Sequence, residues 1–62
     1  MYTVKFFVPE IMTHPCEHRF RSLNNAKNYA KQVTNVCKEK HSAYSMTIFT
    51  KGRTVLEEKW EG

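Results

Sequence analysis

One segment of the chain, residues 23–40, has the spacing of an amphipathic helix, and alternating segments lie on both sides of it. Its apolar residues recur at steps of three and four, which places them in one stripe along a helix. The stripe consists of Leu23, Ala26, Tyr29, Ala30, Val33, Val36 and Cys37. Ser22 is a suitable N-cap, because its hydroxyl can accept a hydrogen bond from an amide of the first turn. If the flanking segments form a sheet, this single helix can cover only one of its two faces, and the other face stays open.

Four segments around this helix have the character of β-strands. Residues 2–8 and 43–50 alternate between the two faces and are rich in β-branched and aromatic side chains, and 17–21 and 53–60 are two further strands. Lys51-Gly52 separates the last two strands, and its glycine can supply the positive φ that a tight turn needs. The sequence therefore predicts a single α+β domain over residues 1–62, in the order ββαββ, with one helix packed on a four-stranded antiparallel sheet. These patterns leave the strand order open.

The alternation assigns the strand side chains to a helix-facing side and an open side. The helix-facing side is predicted to carry the large apolar residues Tyr2, Val4, Phe6, Val8, Phe20, Tyr44, Met46 and Ile48. The open side is predicted to carry aromatic and basic groups, namely Lys5, Phe7, Arg19, Arg21 and Phe49. Aromatic and basic side chains interleaved on an uncovered face indicate a binding surface.

The register of the last hairpin decides which residues of the last strand join this open side. A two-residue loop at Lys51-Gly52 places Val55 beside Ile48 and turns Leu56 and Trp60 to the open side. A three-residue loop with a Gly bulge gives the opposite assignment, because a shift of one residue exchanges the two faces of a strand. We favour the two-residue loop, which adds Leu56 and Trp60 to the predicted binding surface and creates an apolar strip.

Two other arrangements would cover the open side. The loop at residues 10–16 contains Ile11 and Met12, and apolar loop residues usually pack against something nearby. A homodimer could also close this face. Both alternatives compete with the interpretation of the face as a docking surface.

The size and residue content of the chain argue against catalysis. A domain of 62 residues has little room for a deep cleft. The chain contains no Asp, and the adjacent Glu57 and Glu58 point to opposite faces of a strand. Gly52 and Gly62 cannot form a glycine-rich phosphate loop. We therefore expect a protein that is not an enzyme, with no catalytic residues and no cofactor.

The cysteines and histidines fall into two clusters, His14-x-Cys16-x-His18 and Cys37-x-x-x-His41. A zinc site needs four ligands, and Cys16, His18, Cys37 and His41 are the candidates. Their spacing matches no zinc finger, and Cys37 belongs to the apolar stripe, where a free cysteine behaves as a small buried apolar residue. We predict no metal site and keep a small zinc-stabilised module as an alternative. A Cys–His nucleophile would also need a third orienting group, for which no residue is well placed.

The charge of the chain favours acidic partners without selecting one. Ten Lys and Arg against six Glu give a net charge of +4. Lys27, Lys31 and Lys38 on the outer side of the helix could contact phosphates, but lysines at such positions usually keep an amphipathic helix solvated. No segment has the length and apolar character of a signal sequence or membrane span, and two cysteines are few for a disulfide-stapled domain. We expect a cytoplasmic protein without membrane contact.

The expected function is that of a small regulatory protein that docks on a partner protein through the open side of its sheet. A short basic chain rich in Lys and Asn is similar in type to the small accessory proteins that phages encode to modulate host machinery, although no motif supports this likeness. The alternative is single-stranded nucleic-acid binding through the same face. In that case Phe7 and Phe49 would stack on bases while Lys5, Arg19 and Arg21 neutralise phosphates.

Overall fold

The computed structural model describes residues 1–61, which form four strands and one helix. The elements are β1 (Tyr2–Phe7), β2 (Cys16–Phe20), α1 (Leu23–Glu39), β3 (Tyr44–Thr50) and β4 (Arg53–Trp60). The strands form one antiparallel sheet in the order β2-β1-β3-β4, and α1 packs on one of its faces. The ββαββ prediction is confirmed. The structure adds the strand order, in which β1 and β3 are central and β2 and β4 are edges.

The helix begins and ends close to the predicted residues. The Asn25 amide donates to the Ser22 hydroxyl at 3.4 Å, so Ser22 is the N-cap. At the other end His41 takes a positive φ of 55°, and the Ser42 amide donates to the Cys37 carbonyl at 2.9 Å. The His41 amide donates to the Lys38 carbonyl at 3.2 Å. This pair of bonds is a Schellman motif, which satisfies carbonyls of the last turn and ends the helix.

The core lies between α1 and the sheet. Val4 and Ile48 are opposite each other on the two central strands, and both are fully buried. The small side chains Ala26 and Ala30 are buried on the facing side of α1, which allows the helix to lie close to the sheet. All eight residues predicted for the helix-facing side belong to this core or pack against it: Tyr2, Val4, Phe6, Val8, Phe20, Tyr44, Met46 and Ile48.

The β3–β4 hairpin has the predicted turn but a different register after it. Lys51 and Gly52 have φ values of 50° and 75°, and positive φ at both central residues is what a type I′ turn requires. A β-bulge then interrupts the pairing between Ile48 and Phe49, because Phe49 pairs with Thr54 while Ile48 pairs with Leu56. Val55 is therefore the extra residue of the bulge. Such a residue shifts all later side chains to the other face.

The assignment of Leu56 and Trp60 to the open side is therefore wrong. Trp60 lies opposite the buried Tyr44 with ring centroids 6.0 Å apart, and its ring packs against the core. Leu56 lies opposite the buried Ile48 on the same side as the helix and is 40% exposed. The physical reason is that the bulge places the large indole ring where it is partly buried against the core instead of on an uncovered face.

The loop between β1 and β2 turns toward the helix-facing side. The amides of Ile11 and Met12 both donate to the Val8 carbonyl, at 3.2 and 2.9 Å, which folds the loop back at the end of β1. Met12 packs against the core, while Ile11 is 79% exposed. The alternative in which Ile11 and Met12 cover the open side is therefore wrong.

Deletion of Val55 is expected to preserve the fold, because it removes only the unpaired residue of the bulge. The Phe49–Thr54 pair would then continue directly to Ile48–Leu56. Val55 is 37% exposed, so we expect the free energy of unfolding to change by about 1 kcal/mol or less. Near-ultraviolet circular dichroism and Trp60 fluorescence would report a native environment.

The control for this deletion is the insertion of one alanine between Leu56 and Glu57. The insertion adds a residue beyond the bulge and drives Trp60 away from Tyr44, so the native Trp60 signal should be lost. If the deletion variant lost this signal instead, the bulge would not be what sets the register of β4.

Candidate binding surfaces

The open face is the side of the sheet opposite α1, and no other helix or strand among residues 1–61 covers it. The strand registers place its side chains in three rows that run across the sheet. The first row is Arg19, Thr3, Phe49 and Thr54, the middle row is Glu17, Lys5, Thr47 and Glu57, and the third row is Phe7, Ser45 and Lys59. Arg21 is an exposed residue just after β2 and borders this face.

The two aromatic residues of the open face are separated from each other. Phe49 lies opposite Thr3, and Phe7 is four residues further along β1, so the two rings stand roughly 13 Å apart along the strands. Both residues are half-buried. Because Leu56 and Trp60 lie on the other side of the sheet, the predicted continuous apolar strip does not form. The open face has two separate aromatic contact points with polar residues between them.

The charges of the open face have both signs. Lys5 in the middle row has Glu17 directly opposite on β2, and Glu57 ends the same row on β4. Arg19 and Lys59 lie in the outer rows. Within residues 1–61, the one ion pair of the structure joins Lys38 and Glu58 on the helix-facing side, so the charges of the open face do not pair with one another. The face is more mixed in charge than its basic residues alone suggest.

A hollow of about 270 Å³ lies at the Phe7 end of the open face. The Phe7 ring and Pro15 are apolar, whereas Ser45 and Thr47 contribute hydroxyl groups and Lys5 contributes an ammonium group. Apolar walls with a few polar groups are typical of sites that receive a side chain or small group. This hollow combines apolar and polar lining groups in that way.

Two members of the first Cys/His cluster, Cys16 and His18, lie next to each other on the helix-facing side of β2. Cys16 Sγ lies 3.6 Å from His18 Nε2, and the His18 ring packs against Tyr29 with centroids 4.9 Å apart. Across residues 1–61, no carboxylate or amide hydrogen-bonds the other His18 ring nitrogen. This pair therefore lacks the orienting group that a Cys–His nucleophile needs.

The four candidate zinc ligands, Cys16, His18, Cys37 and His41, do not form one cluster in the described part of the chain. In the described part of the chain, no group of three or more Cys, His, Asp or Glu side chains is close enough to hold a metal ion. Cys37 is buried in the core, and this burial raises the pKa of its thiol despite the nearby Lys40. His41 lies exposed beyond the end of α1.

A polar link between α1, β3 and β4 could not be anticipated from residue spacing. The buried Tyr44 hydroxyl donates to Glu58 Oε1 at 2.5 Å, and the same oxygen lies 3.4 Å from Lys38 Nζ. Burial, followed by the hydrogen bond to the Glu58 carboxylate, raises the pKa of Tyr44 to about 12. The hydrogen bond from Tyr44 is the main cause that lowers the pKa of Glu58. The link satisfies a buried hydroxyl and connects three elements.

Two further hollows lie on the helix side of the sheet. An apolar groove of about 310 Å³ runs between the β1–β2 loop and α1, and its lining includes Phe6, Ile11, Met12, Val33 and Val36. A hollow of about 230 Å³ lies between α1 and β4. Its lining includes Lys27, Lys31, Lys38, Leu56 and Glu58. Sequence patterns placed the lysines on the outer side of the helix but did not show that β4 borders them.

Comparisons of this chain with protein-family models, with curated proteins and with solved structures find no match in any of the three. Over residues 1–61, α1 is the only helix, and it is neither long nor apolar enough to cross a membrane.

Proposed function

We propose that this chain is a small non-enzymatic regulatory protein that docks on a partner protein through the open face. The contact residues would be Lys5, Phe7, Arg19 and Phe49, with Arg21 at the margin. The observation that carries the proposal is the position of Phe7 and Phe49 on the two central strands of a face that no other element among residues 1–61 covers. Aromatic anchors that become desolvated on binding dominate the energetics of many protein interfaces.

The distribution of charge favours a protein partner over a nucleic acid. Glu17 and Glu57 share the middle row with Lys5, and a phosphate backbone laid across the face would meet both carboxylates. A protein surface can match positive and negative groups at the same time, which gives specificity. The polar gap between Phe7 and Phe49 is also unlike the run of adjacent aromatic side chains on which successive bases stack.

The proposal is tested by affinity capture with matched variants. The wild-type chain should retain a defined protein from a cell lysate, and the Phe7→Ser/Phe49→Ser variant should lose it. Loss of two anchors of this kind corresponds to a decrease in affinity of at least about tenfold. Lys40→Gln is the control, because Lys40 is exposed at the end of α1, away from the open face. Circular dichroism confirms that each variant is folded.

Equal capture by the wild-type chain and the double phenylalanine variant would contradict docking through the open face. A fluorescent single-stranded oligonucleotide distinguishes the alternative function. Binding at low salt that weakens in both Phe7→Ser and Arg19→Gln, with a steep dependence on salt, would replace the protein partner by a nucleic acid.

A further inference from the structure

The hollow between α1 and β4 forms a second surface, on the opposite side of the sheet from the open face. We call it the lysine groove and define it by Lys27, Lys31, Lys38, Leu56 and Glu58. Its remaining lining is Ala30, Thr34, Asn35 and Met46, of which Ala30, Thr34 and Met46 are buried. The groove therefore has a mainly apolar floor and a basic wall.

The helical spacing aligns the three lysines along one side of the groove. Positions 27, 31 and 38 lie within roughly 40° of one another around a helix of 3.6 residues per turn. They extend over roughly 16 Å along the axis at 1.5 Å per residue. This row of ammonium groups follows about three turns of α1, a length that fits an extended or helical segment better than a single small ion.

Two of the three lysines have no counter-charge in the described chain. Lys38 is held by Glu58 at 3.4 Å, and this carboxylate also accepts the Tyr44 hydrogen bond. Within residues 1–61, no carboxylate lies within ion-pair distance of Lys27 or Lys31. Both lysines are exposed, so they can meet a negatively charged partner without breaking an internal contact.

Leu56 adds an exposed apolar side chain to the basic lining of the groove. The bulge at Val55 turns Leu56 toward the helix side of the sheet. The Leu56 side chain is 40% exposed there and lines the same groove as the three lysines. A phosphate group or a nucleic-acid backbone would leave this apolar side chain in contact with water. An acidic peptide with an aliphatic residue can cover Leu56 and neutralise the lysines together.

From this geometry and charge we propose that the lysine groove binds an acidic segment of a protein, with an aliphatic side chain on Leu56 and carboxylates on Lys27 and Lys31. This site is independent of the open face, because the two lie on opposite sides of the sheet. A protein that binds through both the open face and the lysine groove would connect two partners or bind one partner at two places.

The experiment measures the fluorescence anisotropy of a labelled synthetic peptide that carries glutamates on both sides of one leucine. Lys27→Gln/Lys31→Gln should weaken binding about tenfold and reduce its dependence on salt. Leu56→Ser should weaken binding several-fold with the dependence on salt unchanged. Lys40→Gln/Lys59→Gln is the matched control for the loss of two positive charges, because neither lysine lines the groove, and it should bind like the wild-type chain. All five positions are exposed, so the fold should survive these changes.

Three results would overturn the proposal. The first is the absence of peptide binding to the wild-type chain at low salt. The second is an equal loss in Lys40→Gln/Lys59→Gln, which would indicate attraction by net charge alone. The third is tighter binding of an oligothymidine that Leu56→Ser leaves unchanged, which would make the groove a nucleic-acid site. Because none of these variants alters Phe7 or Phe49, each result is separate from the test of the open face.

Discussion

Ile48→Ala is expected to remove most of the stability of this domain. Ile48 is completely buried at the centre of β3, with Val4 opposite on β1 and Leu56 opposite on β4. Truncation of a buried isoleucine costs about 2–5 kcal/mol, because the transfer energy is lost and a cavity remains. A domain of 62 residues has a total stability of roughly 3–9 kcal/mol. Thermal melting followed by circular dichroism should show a much lower midpoint or an unfolded chain at room temperature.

Two milder substitutions control for this result. Ile48→Val keeps most of the buried volume and should cost about 0.5–1.5 kcal/mol. Val55→Ala removes a partly exposed side chain at the bulge of β4 and should cost about 1 kcal/mol or less. If Ile48→Ala melted like Val55→Ala, the centre of the core would not lie at the β1–β3 pair.

The second large effect is a loss of stability at alkaline pH. Tyr44 has a raised pKa of about 12 in the folded chain, against an ordinary value of 10, because it is buried and donates to Glu58. Below pH 10 the hydroxyl is protonated in both states, so the full stability is present. Between pH 10 and about 12 the unfolded chain releases this proton while the folded chain retains it. The free energy of unfolding should therefore fall by roughly 2–3 kcal/mol across this window.

Tyr44→Phe isolates the contribution of this hydroxyl. The variant loses a hydrogen bond to a charged group and should be about 1.5–3 kcal/mol less stable at neutral pH. Its stability should then change less between pH 10 and 12 than that of the wild-type chain. Tyr29→Phe is the comparison, because burial also raises the pKa of Tyr29. Urea unfolding at a series of pH values measures both effects, and an unchanged alkaline slope in Tyr44→Phe would contradict this explanation.

The same link makes a smaller contribution at acid pH. The pKa of Glu58 is lowered chiefly by the Tyr44 hydrogen bond, so the folded chain favours the ionised carboxylate. This stability is present above the ordinary glutamate pKa of 4.5 and is lost as the pH falls through the lower folded value. The carboxylate is partly exposed, so the acid effect should be smaller than the alkaline one.

Local patterns predicted the elements and the core well. Ser22 caps α1 as expected, the helix ends one residue earlier than predicted, and all eight helix-facing strand residues are in the core or against it. These features depend on the side-chain period and on capping chemistry, which short stretches of sequence contain. The strand order could not be predicted, since the same alternation fits several orders of pairing.

The candidate binding surfaces were predicted only in part. The open face carries Lys5, Phe7, Arg19 and Phe49 because the period of two places them there in any sheet with one covered face. Glu17 and Glu57 lie on the same face by the same rule, and they change its character from basic to mixed. The lysine groove depends on the position of α1 over the sheet and on the side to which β4 turns Leu56 and Glu58, so it became visible only in the tertiary structure.

The orientation of the β4 side chains could not be predicted from the local sequence pattern. The Lys51-Gly52 sequence determined a two-residue turn, and the turn formed as predicted. Whether Leu56 and Trp60 faced the helix or the open side was decided by one unpaired residue, Val55. The alternating pattern contains no signal for such a bulge. The choice depends on distant contacts: the Trp60 ring packs beside Tyr44, and Glu58 receives the Tyr44 hydroxyl. The sequence thus determined the elements and their apolar faces. The tertiary structure decided which face of the sheet each side chain of the last strand occupies. The reason is that the packing of Trp60 and the Tyr44–Glu58 hydrogen bond exist only once the sheet and the helix are assembled.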